Sequence, residues 1–435
     1  MRALPTLLIA TAVVMLGARA GQTQEAMASS RALSSRTLTL DEALRRSLQY
    51  NPEIARLGAS LADKLGSAIE AEVKINPGFK VTGARTSDPD DTGAFFELEA
   101  EQPLRPSDFG LRRTYAIALR AAANLEQQAD VLRLLNETAV LYYRLWSLQE
   151  RASLLAGARD QASQVVRTIS EQLQAGQSDV SQQNIFQAEE ARFNAELLAV
   201  RGESAGALSE LQRATGFPFA ELRLARPAFG PLPDTFALSQ FAEARASLRR
   251  LALTRQAMAA RSLGVAQADA VFPEFAPGLI YSYGSSRRES EVGITLAGRL
   301  PIWDRNQGPI TRARGALDAA DREVAAFDRV SMDRLIGLRR QQVLNLQARV
   351  DSFRKDVIPA YRAAYDASMQ QFRAGQATTL QLFEVQKSLI ENQEKAYQYE
   401  IEALAARNQL EQLIGGRIEE VTGARNFRSG KDSSK

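Results

Sequence analysis

Three carboxylates stand two residues apart at Glu97, Glu99 and Glu101, interleaved with Phe96, Leu98 and Ala100. In an extended strand successive side chains point to opposite faces, so the acids share one face and the apolar residues the other. Such a row attracts cations but offers nothing for bond-making. The chain contains no histidine and no cysteine, which removes the commonest metal ligands, the usual acid-base residue near neutral pH and all thiolate chemistry. No Gly-rich phosphate loop, nucleophile elbow or clustered metal-ligand set accompanies the acids. The residue types therefore point away from an enzyme, and no cofactor is expected.

What must position those acids is a chain of 435 residues, 45% hydrophobic and 24% charged, with a formal net charge of +3. That is enough for two or three ordinary domains, with no charge excess pointing to nucleic acid. Residues 1–20 read as a signal peptide: a basic start at Arg2, an apolar run from Leu7 to Leu16, and Ala18 and Ala20 in an A-x-A arrangement. The apolar run is too short for a membrane-spanning helix, which takes ~20 residues. Nothing later approaches that length, and without cysteine there is no site for a lipid-bearing N-terminal residue. Residues 21–37 and 417–435, ending GKDSSK, are expected to be flexible.

The chain repeats itself. QPLRPSDFG (102–110) lies against LPIWDRNQG (300–308), matching Pro103 to Pro301 and Gly110 to Gly308 at a shift of 301−103 = 198. QAGQSDVSQ (174–182) lies against RAGQATTLQ (373–381) at 375−176 = 199, Gly216 matches Gly415 at the same shift, and NPGF (76–79) lies against FPEF (272–275) at 273−77 = 196. Four matches in order at nearly one shift mark a tandem duplication: a first repeat over 38–216, a proline-rich connector over 217–240 and a second repeat over 241–416.

Each repeat follows one plan. Thr39 and Glu42 form a capping box that starts a helix near residue 40, and Asn51-Pro52 starts another that runs to about Val73. Strand-like runs follow near 79–84 and 93–104, joined by the turn-rich SDPDDTG, and their counterparts lie near 276–285 and 290–302. From Leu111 to Phe217 there is no proline, and the composition favours helix. This predicts a long helical hairpin over 111–216, turning only at Ala175-Gly176-Gln177, and a second over 309–416 in which Pro359 kinks or divides the helix. An arm of about 64 residues would extend ~96 Å, more than a compact domain accommodates. The stripe Val324, Phe327, Leu335, Leu338, Leu346, Val350 and Phe353 steps by sums of threes and fours, as in helices packed in coiled-coil fashion.

A soluble coiled-coil scaffold would explain the helices alone. The strands favour a membrane: they are about ten residues long, each has one apolar and one polar face, and Phe95, Phe109, Phe272 and Trp303 stand at their ends like an interfacial girdle. Four strands leave unpaired edges, which hydrocarbon does not tolerate, and bacterial barrels have at least ~8 strands. A barrel shared among chains is the consistent answer.

The order helix, hairpin, long helical hairpin, given twice, with NPEI near the start, PIWDRNQG after the fourth strand and paired AGQ turns, resembles the TolC family of outer-membrane efflux ducts. It is most similar to the CzcC-like, heavy-metal-efflux branch, and the likeness covers residues 38 to 416. The resemblance implies a mainly α chain with a membrane β-barrel portion: a homotrimer whose twelve strands form one barrel, continued by a helical periplasmic tunnel. It also implies three kinds of partner: a periplasmic adaptor protein, an inner-membrane transporter of the RND type, and outer-membrane lipid. A protein-secretion duct is the alternative within transport, and a periplasmic coiled-coil scaffold the alternative outside it.

Site residues carry over from the same resemblance. The tips that meet the adaptor fall at Ala175, Gly176, Gln177 and Ser178 and at Ala374, Gly375, Gln376 and Ala377, although glycine also simply turns the chain there. A periplasmic gate falls at Gln381, where relatives commonly carry an acid, or at Glu384, which is equally readable as a solvated surface residue. Glu97, Glu99 and Glu101 would line the barrel lumen, with Arg299, the repeat partner of Glu101 (299−101 = 198), neutralising the lowest ring. Pro103, Gly110, Pro301, Trp303 and Gly308 would mark the junction of barrel and tunnel.

Overall fold

The computed structural model of the chain describes residues 37–85, 93–174, 179–216, 222–245, 247–271, 274–285 and 289–421. The signal segment, the first tip (Ala175, Gly176, Gln177 and Ser178), Phe272 and the tail beyond 421 lie outside the described residues. The helices are α1 (Leu40–Tyr50), α2 (Pro52–Glu72), α3 (Leu111–Gln174), α4 (Val180–Thr215), α5 (Thr235–Ala244), α6 (Leu248–Val271), α7 (Gln307–Ala326), α8 (Arg329–Ser352), α9 (Ile358–Arg373) and α10 (Thr379–Ile414). The strands are β1 (Gly78–Arg85), β2 (Ala94–Glu101), β3 (Phe275–Gly284) and β4 (Glu289–Gly298).

Helix starts follow the caps expected. Thr39 accepts from the Glu42 amide at 3.3 Å and Asn51 from the Glu53 amide at 2.9 Å. Glu42 does not reach back to complete a capping box; its carboxylate lies 3.6 Å from Arg46, one turn on. The proline-free run gives α3 its 64 residues. The second long arm is more broken: it parts at Phe327, and Asp328 caps the helix that follows by accepting from the Ser331 amide at 2.6 Å. A π turn at Phe353–Val357 precedes Pro359.

The duplication is visible in matched caps. Asp179 caps α4 and Thr378 caps α10, at 378−179 = 199, each helix has 36 residues, and each ends at a left-handed glycine, Gly216 or Gly415. One alignment changes. The residue with positive φ that launches α7 is Asn306 (φ 59), the counterpart of Gly110 (φ 112) at 306−110 = 196, whereas Gly308 sits inside the first turn of α7. Asparagine tolerates the left-handed region, so a search for paired glycines overshoots by two residues.

The described residues form two compact units. One contains residues 37–58, 129–245 and 333–421. Its core runs on seven-residue spacings: Leu148, Leu155, Ala162 and Ile169 on α3; Phe186, Phe193, Val200 and Ala207 on α4; Ile336, Val343 and Val350 on α8; Leu382, Leu389, Ala396, Ala403 and Leu410 on α10, all buried. A strict seven-residue repeat keeps the seam facing a neighbour only if the helices supercoil to the left. Each fully buried Leu or Phe contributes about 1.5–3 kcal/mol. On α8 the buried seam shares Val350 with the expected stripe, but Leu338 is exposed. Steps of three and four fit two adjacent phases of a helix, and upstream of Val350 packing selected Ile336 and Val343.

In this unit residues 222–226 form a short parallel pairing with Leu38, and two side chains of α3 lace it down. Tyr142 donates to the carbonyls of Leu38 (2.8 Å) and Ala225 (2.6 Å), while Gln149 bonds both Leu222 and Leu224. The buried face of α10 also carries Glu400, Arg407, Asn408 and Glu411.

The other unit contains residues 59–128 and 246–332 and holds the sheet. Its helical seams use alanine at the same spacing, Ala116 and Ala123, Ala252, Ala259 and Ala266, Ala313 and Ala320. Small side chains let backbones approach closely, and charges fasten the rims: Glu126 pairs with Lys64 at 2.7 Å and Arg255 at 2.9 Å, and Arg255 with Glu323 at 3.0 Å. Burial alone would raise the Glu126 carboxyl, but its contacts with Lys64 and Arg255 hold it below its ordinary value.

Candidate functional site

The four strands form one antiparallel sheet in the order β1-β2-β3-β4. On one face the register brings together Val81, Leu98, Tyr281 and Val292 in one row and Phe79, Ala100, Leu279 and Ile294 in the next. These apolar side chains are exposed, Ile294 to 86% and Val292 to 79%. Burial is inverted relative to a water-soluble sheet, where the apolar face packs inward.

The opposite face carries the acids. Glu97 shares a row with Thr82, Ser282 and Glu291; Glu99 with Lys80, Ile280 and Gly293; Glu101 with Gly78, Gly278 and Thr295. Two members add to the expected set. Glu291 stands two strands from Glu97, about 10 Å away at the usual strand spacing. Lys80 stands directly opposite Glu99, so the middle row and not the lowest holds a neutralising cation. Arg299 lies beyond the end of β4, where its amide donates to the Glu274 carbonyl at 3.2 Å, and Glu101's row ends in Thr295 instead. Repeat partnership in sequence does not give register in the sheet. Parity also corrects Phe95, which shares the acids' face; Phe96, opposite Tyr283, is the aromatic on the apolar face.

Below the sheet each repeat turns into its long helix through a self-capped segment. After β2, backbone bonds from Gln102 and Leu104 to β3 continue the ladder, Pro103 is buried, and Arg105 and Asp108 cap each other. Arg112 then reaches Asp269 at 2.6 Å, and Phe109 stacks on Phe275 at 6.5 Å. After β4, Pro301 centres a tight turn closed by the Ile302 amide on the Leu300 carbonyl (2.9 Å). In WDRNQG, Asp304 accepts from the Asn306 amide, Gln307 from the Arg305 amide, and Asn306 donates to Ala266 on α6. The segment satisfies its own polar groups and leaves Trp303 87% exposed.

At the described tip, Gly375 adopts φ 71 and its amide donates to the Phe372 carbonyl. Ala374, Gly375 and Gln376 are exposed, while Ala377 packs on the core cluster. Leu380, one turn on, is also exposed, as is Val180 at the start of α4; neither was singled out from sequence, where a leucine in a helix reads as core. Gln381 is a cap: it forms a reciprocal capping box with Thr378, at 3.0 and 3.3 Å. Glu384 is exposed on α10. Thr379 bonds Gln182 at 2.6 Å and Phe186 meets Phe383 edge to face at 6.2 Å, joining the starts of the two matched helices.

No family model matches the chain. The cobalt-zinc-cadmium resistance protein CzcC of Cupriavidus metallidurans is 23% identical over 361 residues, covering 81% of this chain and 84% of CzcC. The fold matches the outer membrane protein VceC of Vibrio cholerae with a TM-score of 0.70 at 19% identity, over 87% of this chain and 96% of VceC. It matches the outer-membrane channel OprN with a TM-score of 0.68 at 18% identity, over 88% and 94% of the two chains. These proteins are not enzymes. The chain is a CzcC homologue with the fold of the TolC-family outer-membrane channels.

Proposed function

We propose that three copies of this chain close their sheets into one twelve-stranded barrel in the outer membrane and act as the passive exit duct of a tripartite efflux system. The observation that carries this reading is the inverted sheet. Its exposed apolar rows suit lipid, its acid rows suit a wet lumen, and among the described residues β1 and β4 each keep one unpaired edge. An unpaired backbone group in hydrocarbon costs several kcal/mol, so the edges must meet other copies.

The helical unit then serves as periplasmic conduit, and residues 175–178 together with the turn Ala374–Ala377 are the adaptor contacts, fed by an inner-membrane transporter of the RND type. The cargo is divalent metal cations, a reading supported by the likeness to CzcC and by the excess of acids over Lys80 on the inner face. With no histidine or cysteine in the chain, soft metal ions pass without being gripped. Reconstitution in planar lipid bilayers tests the reading: stepwise conductance with cation preference supports it, and a folded, membrane-inserted protein that conducts nothing contradicts it.

A further inference from the structure

Where the two repeats meet, α3 and α10 enclose a cavity of about 20 Å³ with Leu40 and Leu44 of α1 in its wall. A cavity needs about 10–15 Å³ to hold one water molecule, so this one takes a single group of that size and no organic ligand. Asn136 of α3 and Asn408 of α10 both line it, and they are only 4% and 5% exposed. Their side-chain nitrogens have no hydrogen-bond partner among the described residues. A buried donor left unpaired bears the whole loss of its hydration, and here two of them border one cavity.

The charges around the cavity are already matched. Arg407 donates to the Gly230 carbonyl at 3.1 Å and to Glu419 at 2.9 Å, and lies 3.7 Å from Glu411. Arg417 donates to Asp41 at 2.9 Å and lies 3.4 Å from Glu419. Two cations among three carboxylates leave no positive excess to draw an anion, while a cation would meet two arginines and two amide donors. A neutral molecule that accepts from both amides fits instead. Glu411, in the same cavity wall, offers it an acceptor, which makes the three partners that buried waters usually have.

We propose that one structural water molecule bridges Asn136 and Asn408 and donates to Glu411, pinning the register of α3 on α10. A buried asparagine fixes the register of a helix seam because sliding by a turn strands its amide. The site belongs to the seam between repeats: the counterpart of Asn408 in the first repeat, Ser209 (408−199 = 209), is exposed. It does not depend on what the chain conducts. Crystals of the detergent-solubilised protein, grown in sodium bromide and diffracting far enough to show ordered water, test it. The expected result is one peak about 2.7–3.2 Å from both amide nitrogens, with no anomalous signal from bromide. An anomalous peak there would make it a halide site and overturn the water, and so would the absence of any peak between the two amides. In solution, the losses of unfolding midpoint in Asn136→Ala and Asn408→Ala should sum to more than the loss in the double variant, because either change breaks the same bridge. Strictly additive losses would mean that the amides act separately and would overturn the bridge.

Discussion

Lys80 and Glu99 face each other directly across β1 and β2, making the only opposite-charge pair among the described cross-strand partners on the acid face of the sheet. Opposed charges in such a pair contribute about 0.2–1 kcal/mol, too little to fix the fold but enough to set the local field. Glu97, Glu101 and Glu291 have no such partner in register.

Replacing Lys80 with glutamine should therefore raise the cation preference of the conducting state, and replacing Glu97 and Glu291 together should lower it. Reversal potentials across a salt gradient read both. A preference that moves with neither change would remove these side chains from the path.

Gly216 ends α4 at φ +64, and a Cβ there would meet the Cβ of Tyr50 at 2.3 Å and the Tyr50 carbonyl oxygen at 3.0 Å. Gly216→Ala combines left-handed strain with a collision against the end of α1. The expected loss is about 2 kcal/mol or more, above the ~1 kcal/mol for strain alone. Thermal denaturation of the variant checks it, with Gly157→Ala, an open helical position, as the control that should not be destabilised.

Glu411 is buried on α10, accepts from the Ile418 amide at 3.2 Å and lies 3.7 Å from Arg407. Burial first, and then repulsion from Glu419, raise it from 4.5 to about 7. The folded state thus holds a proton that the unfolded chain has released. The contribution to stability is full below the unfolded value near 4.5 and is lost as pH rises through about 7. Unfolding midpoints measured from about pH 5 to about pH 8 should fall for wild type and fall less for Glu411→Gln, the difference reaching at most about 3 kcal/mol.

Much of this was legible in the sequence. Proline spacing gave the 64-residue helix, because one missing amide in a helix interior is costly; glycines and cap residues gave the repeat; alternation gave the two faces of each strand. What escaped reading was phase. Val350 belongs to the expected stripe and is buried, but Leu338 and Ile336 fit equally well into steps of three and four, and only packing chose Ile336 and Val343. The alanine seams were hidden because alanine is frequent on every face of a helix. The pairing of Lys80 is hidden because cross-strand register depends on which strands pair, and the capping role of Gln381 because a helix cap and a pore-facing amide look alike in one dimension.

In the proposed duct the apolar face of the sheet meets lipid within a barrel shared by three chains. Detergent extraction of the outer-membrane fraction, followed by mass determination of the purified protein, tests it on wild type and on Leu296→Arg. Leu296 is 77% exposed on that face, and arginine facing lipid costs from about 0–1 kcal/mol near an interface to about 2–4 kcal/mol at the midplane, per chain. Wild type should be a detergent-requiring trimer, and the variant should fail to assemble. A protein soluble without detergent, monomeric or dimeric and indifferent to the new charge, would contradict it.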